Sequence, residues 1–276
     1  MRVAVVENMK NTPLGALGIA LEEAGAEIEW FRAWEGERLP REASAHDALV
    51  VLGGEQNARD DETHPYLPEL ARLMRRFEEA DKAVLGICLG SQLLARAYEA
   101  ENLIGIAHEF GWKTVGVTEE GRADPLLSDL GDDFTIFQWH SDTFSLPIGA
   151  VHLAANAVTR NQAFRIGRAA YGTQFHFEAN TAVVEGWRTD FTASIERNEP
   201  GWLERYAEIA ALHAAAADVA GLAIARGWVG TIGAAAAKKS LQEPQQSIPR
   251  LQELVDQGLE RGASERDLGE VLAEAR

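Results

Sequence analysis

The sequence predicts an α/β protein: a three-layer αβα arrangement with a mostly parallel central sheet and helices on both faces. Three observations carry this reading. In the N-terminal part, short strand-like runs alternate with helical segments. Several of these runs are wholly apolar, which suits strands covered on both faces, as in parallel sheets. Farther along, strand-like runs follow one another too closely for helical crossovers, so the sheet gains an antiparallel part.

Each element has its own signal. Residues 3–6 (Val-Ala-Val-Val) form the first strand. Residues 14–24 have helical spacing and stop at Gly25, a C-cap. Residues 27–31 are a second strand, and residues 48–52, entirely apolar, a third that ends in Gly53-Gly54. Residues 68–80 form an amphipathic helix with Leu70, Leu73, Met74 and Phe77 on one face. Residues 83–87 are a fourth strand leading into Cys88, and residues 91–100 the next helix. Strands follow at 112–118, 134–139, 151–155, 163–166 and 169–175, with Gly167-Arg168 as a hairpin turn. Beyond Glu178 the chain reads as helix, first at 202–226 and then at 248–259 and 265–275. These changes predict a domain over residues 1–192 and a helical C-terminal extension over 193–276, divided near Thr192.

Composition narrows the function classes. The chain has 276 residues, 46% apolar and 25% charged, the profile of a globular protein with a full-sized core. Lys and Arg total 26 against 43 Asp and Glu, a net charge of −17. That surplus argues against nucleic acid and anionic membrane as partners. Cys88 is the only cysteine, which excludes a disulfide scaffold and a Cys-rich zinc module and fits a reducing compartment. The apolar run at the N-terminus is too short for a signal peptide. The Ala-rich run 210–225 comes nearest to a membrane span but is interrupted by His213 and Asp218. A cytoplasmic protein is expected.

The strongest local signal is Gly86-Ile87-Cys88-Leu89-Gly90-Ser91-Gln92, between an apolar strand and a helix. This is a nucleophile elbow with cysteine in the nucleophile position. A sharp strand-to-helix turn strains the nucleophile's backbone and needs small neighbours. The helix N-terminus favours a thiolate, and the N–H of Leu89 can hold an oxyanion. A cysteine nucleophile needs a base, and the base an orienting group. Gln174-Phe175-His176-Phe177-Glu178 supplies both, because residues two apart in a strand share a face. Gly53-Gly54 is either a tight turn or a second oxyanion donor. Trp139-His140-Ser141-Asp142 is either a polar turn or a substrate contact at the carboxyl edge of the sheet. His-Glu-x-x-His, Cys-x-x-Cys, Walker-type and Gly-x-Gly-x-x-Gly signatures are absent, so no metal and no cofactor are expected.

Taken together, Gly53-Gly54, the elbow around Cys88 and the His176/Glu178 segment resemble the class I glutamine amidotransferase family. Glu109-Phe110-Gly111-Trp112, Trp139 to Phe144, Leu146-Pro147 and Asn161-Gln162-Ala163-Phe164 resemble stand-alone members related to the amidotransferase domain of GMP synthase. The resemblance covers residues 1–190 and implies a flavodoxin-like three-layer fold. It implies a Cys88–His176–Glu178 triad, an oxyanion hole from the N–H groups of Gly54 and Leu89, and glutamyl contacts from Gly53, Gln92, His140, Ser141 and Asp142. The implied reaction hydrolyses the side-chain amide of glutamine through a cysteine thioester to glutamate and ammonia. Two departures stand out. Phe177 occupies a position where many members have proline, and Glu99-Ala100-Glu101-Asn102 replaces a Gly-Gly, which leaves the start of the next strand open. No nucleotide-binding signature follows, and the remainder is too short for an ATP-dependent synthetase. That leaves a glutaminase with a separate synthetase partner or a homodimer, a γ-glutamyl amide or peptide hydrolase, and a non-catalytic regulatory homologue.

Overall fold

A computed structural model describes residues 1–233 of the chain. The helices expected at 248–259 and 265–275 lie outside the described residues. The strands are β1 (Arg2–Glu7), β2 (Glu27–Arg32), β3 (Ala48–Val51), β4 (Ala83–Ile87), β5 (Asn102–Leu103), β6 (Glu109–Val117), β7 (Asp133–His140), β8 (Thr143–Phe144), β9 (Val151–Ala155), β10 (Ala163–Ile166) and β11 (Ala170–Thr173). The α-helices are α1 (Gly15–Glu23), α2 (Leu67–Glu79), α3 (Leu89–Ala97), α4 (Glu119–Arg122), α5 (Thr181–Asp190), α6 (Thr192–Asn198) and α7 (Trp202–Val229).

Nine strands form one sheet in the order β2-β1-β3-β4-β11-β10-β9-β6-β7. From β2 to β11 neighbours run parallel, and from β11 to β7 antiparallel. The expected mixed sheet is what the structure shows. Alternation along β1 explains the layers. Val3 and Val5 point to one side, where they join Leu17 and Leu21 of α1 and Ile224 and Trp228 of α7. Ala4 and Val6 point to the other, with Leu70, Met74 and Phe77 of α2 and Leu93 and Leu94 of α3. A third cluster, rich in aromatics, joins Phe110, Trp112 and Phe137 to Trp187 of α5 and Trp202 and Tyr206 of α7.

Residues on both sides of Thr192 belong to one compact unit, because α7 packs along α1 and β7. Gly221 shows how closely: a Cβ there would stand 2.3 Å from the Phe177 carbonyl oxygen. Asp218 of α7 also accepts hydrogen bonds from the backbone N–H and the hydroxyl of Thr181, at 2.8 and 2.7 Å. By length and composition α7 is the one helix among the described residues apolar enough to cross a membrane. Its buried residues, among them Ala217, Gly221, Ile224 and Trp228, line the core.

Candidate active site

Four loops meet at the carboxyl ends of β1, β3, β4 and β11, and the candidate site lies there. β4 ends at Ile87, and α3 starts at Leu89, two residues earlier than the helical spacing predicts. Cys88 alone makes the turn, with φ 52° and ψ −109°. A residue with a Cβ held at such a positive φ costs on the order of 1–3 kcal/mol. The flanking glycines are required by contact. A Cβ on Gly86 would lie 2.3 Å from the Gly90 carbonyl oxygen, and one on Gly90 would lie 2.0 Å from that of Val51. The Cys88 N–H donates to the Thr173 carbonyl at 2.8 Å, tying the elbow to β11. Its thiol faces the Trp139 carbonyl at 3.6 Å. Leu89 is the first residue of α3, so its N–H has no acceptor within the helix.

His176 and Glu178 reach the site by a different route from the one expected. Strand β11 stops at Thr173, because its partner β4 ends opposite at Ile87 and turns away. His176 is instead held by a single bridge, its N–H donating to the Phe137 carbonyl of β7 at 2.9 Å. The pairing survives without strand alternation: Nδ1 of His176 lies 2.7 Å from Oε1 of Glu178. Both side chains are buried. Burial disfavours the imidazolium, but the Glu178 carboxylate and then Cys88 outweigh it and hold the His176 pKa well above its usual 6.5. Nε2 makes no ordinary hydrogen bond within the protein and stands beside Cys88. Gly53 sits against both groups, with a would-be Cβ 3.2 Å from His176 Cε1 and 3.6 Å from Cys88 Cβ.

Two cavities open on Cys88. One, of about 360 Å³, is lined by Gly54, Leu89, Gln92, His140, Ser141 and Asp142 among others. The other, of about 510 Å³, is lined by Gly53, Gly54, His176, Glu178 and residues of α5 and α6. The nine other residues singled out from the sequence therefore line cavities that open on one thiol. The smaller cavity is built on a polar lattice. Gln92 Nε2 donates to the Asp142 carbonyl and to Gln174 Oε1, both at 3.4 Å. His140 Nδ1 meets the same Asp142 carbonyl at 3.0 Å, and its Nε2 lies 3.3 Å from Glu109 Oε2. Asp142 Oδ1 accepts from the Gly105 N–H at 2.8 Å.

The class-I glutamine amidotransferase family matches residues 15–184 of this chain. The glutamine amidotransferase-like protein YfeJ of Salmonella typhimurium is 35% identical over 189 residues, 67% of this chain and 79% of YfeJ. This chain belongs to the class-I glutamine amidotransferase family. A subunit of the glutamine-hydrolyzing GMP synthase of Natronomonas pharaonis is 30% identical over 61% of this chain and 86% of that protein. Among solved structures, a glutamine amidotransferase from Thermotoga maritima superposes with a TM-score of 0.74 at 26% identity, covering 84% of this chain and 98% of its own.

Within this amidotransferase fold, two groups of residues bear on the site without having been assigned a role in it from the sequence. Glu109 is buried in β6 and accepts from Asn156 Nδ2 at 2.6 Å and Gln162 Nε2 at 2.8 Å. Burial works against its charge, but the neighbouring His140, Thr159 and Asn156 side chains prevail and hold its pKa below the usual 4.5. Its lone acidic place in an otherwise apolar and aromatic stretch was the available clue. Trp187, Phe191 and Arg197 line the larger cavity from beyond the His176/Glu178 segment. They reach it only through the packing of α5 and α6, which no spacing in the sequence encodes.

Proposed function

We propose that this chain is a glutaminase-type amidotransferase whose Cys88 attacks the side-chain amide carbon of glutamine. The observation that carries the proposal is the strained Cys88 at the N-terminus of α3, beside the buried His176–Glu178 pair. His176 holds the proton that the Cys88 thiol gives up, and the sulfur forms the C–S bond. The N–H groups of Gly54 and Leu89 hold the carbonyl oxygen as it becomes an oxyanion. His176 then protonates the departing nitrogen, and the C–N bond breaks to release ammonia. Water adds to the thioester carbon with His176 as its base, and glutamate leaves as the thiolate reforms. Glu178 fixes the tautomer and orientation of the imidazole throughout. Gly53, Gln92, His140, Ser141 and Asp142 would shape the pocket for the glutamyl part.

Several relatives are named as one subunit of a glutamine-hydrolyzing GMP synthase, which supports a synthetase on a separate chain as the consumer of ammonia. A thiol nucleophile and a single cysteine suit the reducing cytoplasm. The decisive assay is release of ammonia and glutamate from L-glutamine by the purified protein, with Cys88→Ala as the blank. Release that disappears in Cys88→Ala is expected. A Cys88→Ala protein that keeps the full rate would overturn the assignment.

A further inference from the structure

The larger cavity exceeds what ammonia requires. A water-sized molecule occupies about 30 Å³ of liquid, and this space is about 510 Å³. Which part of a substrate enters it follows from the chemistry proposed above, on which this inference rests. His176 and Glu178 line the larger cavity and not the smaller one. Leu89, with its free N–H, lines the smaller and not the larger. A general acid must face the leaving nitrogen. The scissile C–N bond therefore points into the larger cavity, while the acyl chain runs the other way, past Gln92 toward Asp142.

One side of this cavity is aromatic, while Thr12, Glu55, Ser194 and Asn198 supply polar groups elsewhere on its lining. Trp139 packs edge-on against Trp187 and Phe191, with ring centroids 5.7 and 5.6 Å apart. Trp187 in turn meets the His176 ring edge-on at 5.3 Å. At the rim stands Arg197, exposed and without an acidic partner among the described residues. In a chain of net charge −17, an unpaired guanidinium beside an apolar wall suits the carboxylate of an apolar or aromatic amino acid.

We infer that the larger cavity is a leaving-group subsite for γ-glutamyl amides whose amine is an apolar or aromatic amino acid. The atoms balance as for glutamine. The Cys88 thiolate forms the C–S bond, and the C–N bond breaks as His176 passes its proton to the amine nitrogen. The free amino acid departs, and water releases glutamate from the thioester. The aromatic wall takes the side chain, and Arg197 takes the carboxylate.

The test compares kcat/KM for γ-L-glutamyl-L-phenylalanine and L-glutamine on the full chain. The dipeptide is expected to lead by about tenfold or more, the scale of a filled apolar pocket. Arg197→Gln and Phe191→Ala are each expected to lower that ratio by about tenfold. A ratio at or below one, with glutamine still turned over, overturns the subsite and leaves the glutaminase proposal intact. If neither compound releases glutamate, the proposed reaction itself fails. Binding then decides the subsite, with both compounds titrated into Cys88→Ala and followed by tryptophan fluorescence. Half-saturation by the dipeptide at about one tenth the glutamine concentration supports the subsite, and equal concentrations overturn it.

Discussion

His176 is buried, yet it is the group whose charge the site favours most clearly. The Glu178 carboxylate at 2.7 Å is the largest single compensation, so removing that charge should expose more of the burial cost. In Glu178→Gln the His176 pKa is expected to fall toward or below 6.5, measured by NMR titration of the imidazole. The linked stability has a definite sign. A raised folded pKa gives stability that is complete below the unfolded value and is lost as pH rises through the folded one. The stability difference between wild type and Glu178→Gln should therefore be largest below about pH 6.5 and shrink above it. A difference that grows with pH would mean His176 is neutral in the folded protein. A second residue-level expectation concerns Gly90. Its absent Cβ leaves room for the Val51 carbonyl, 2.0 Å from where a Cβ would be. Gly90→Ala is therefore expected to lower stability by roughly 1–3 kcal/mol, the cost of overpacking. Chemical denaturation would measure it, and a neutral result would show that the elbow tolerates a side chain.

Elements differ in how much of them the residues announce. β1, β3, β4 and the elbow were legible because apolar runs, glycine stops and a nucleophile signature coincide within a few residues. The His176–Glu178 pair was legible as a pair, but for a reason the structure replaces. The two residues follow β11 and are set by a bridge to Phe137, since β4 offers no further partner past Ile87. Strand pairing is non-local, so its end cannot be read from the strand itself. The two-residue pairing of β5 with β8 is likewise invisible in residues 99–102. Helix α7 was visible as a helix, but its partners were not, because an Ala-rich face packs equally well against many surfaces. Its anchor is Trp228, fully buried and donating Nε1 to the Val84 carbonyl at 3.3 Å. Trp228→Ala should cost about 3–5 kcal/mol, measured by urea unfolding. A change below about 1 kcal/mol, the scale of a surface substitution, would mean α7 is not a core element.

At the scale of the whole molecule, α7 completes the layer that covers one face of the sheet. α1 alone leaves that side of β1, β3 and β4 short of cover, and Ile224 and Trp228 fill the gap beside Leu17 and Leu21. The same helix closes the aromatic cluster through Trp202 and Tyr206, which pack on Phe110 and Trp112. That cluster backs the wall on which Trp187 meets His176, so the C-terminal helix supports the site as well as the core. Burying a large apolar side chain stabilises by roughly 1.5–3 kcal/mol, and a domain's net stability is only about 5–15 kcal/mol. Losing Trp202, Tyr206, Ile224 and Trp228 together removes an amount comparable to the whole. A chain ending at residue 192 is therefore expected to lose cooperative unfolding and to bind a hydrophobic dye such as ANS, while the full chain does neither. Differential scanning calorimetry and dye fluorescence on both chains decide it. If the shortened chain melts cooperatively at the full-length temperature, the sheet is sufficiently covered without α7, and the boundary read from sequence near Thr192 is a true domain edge.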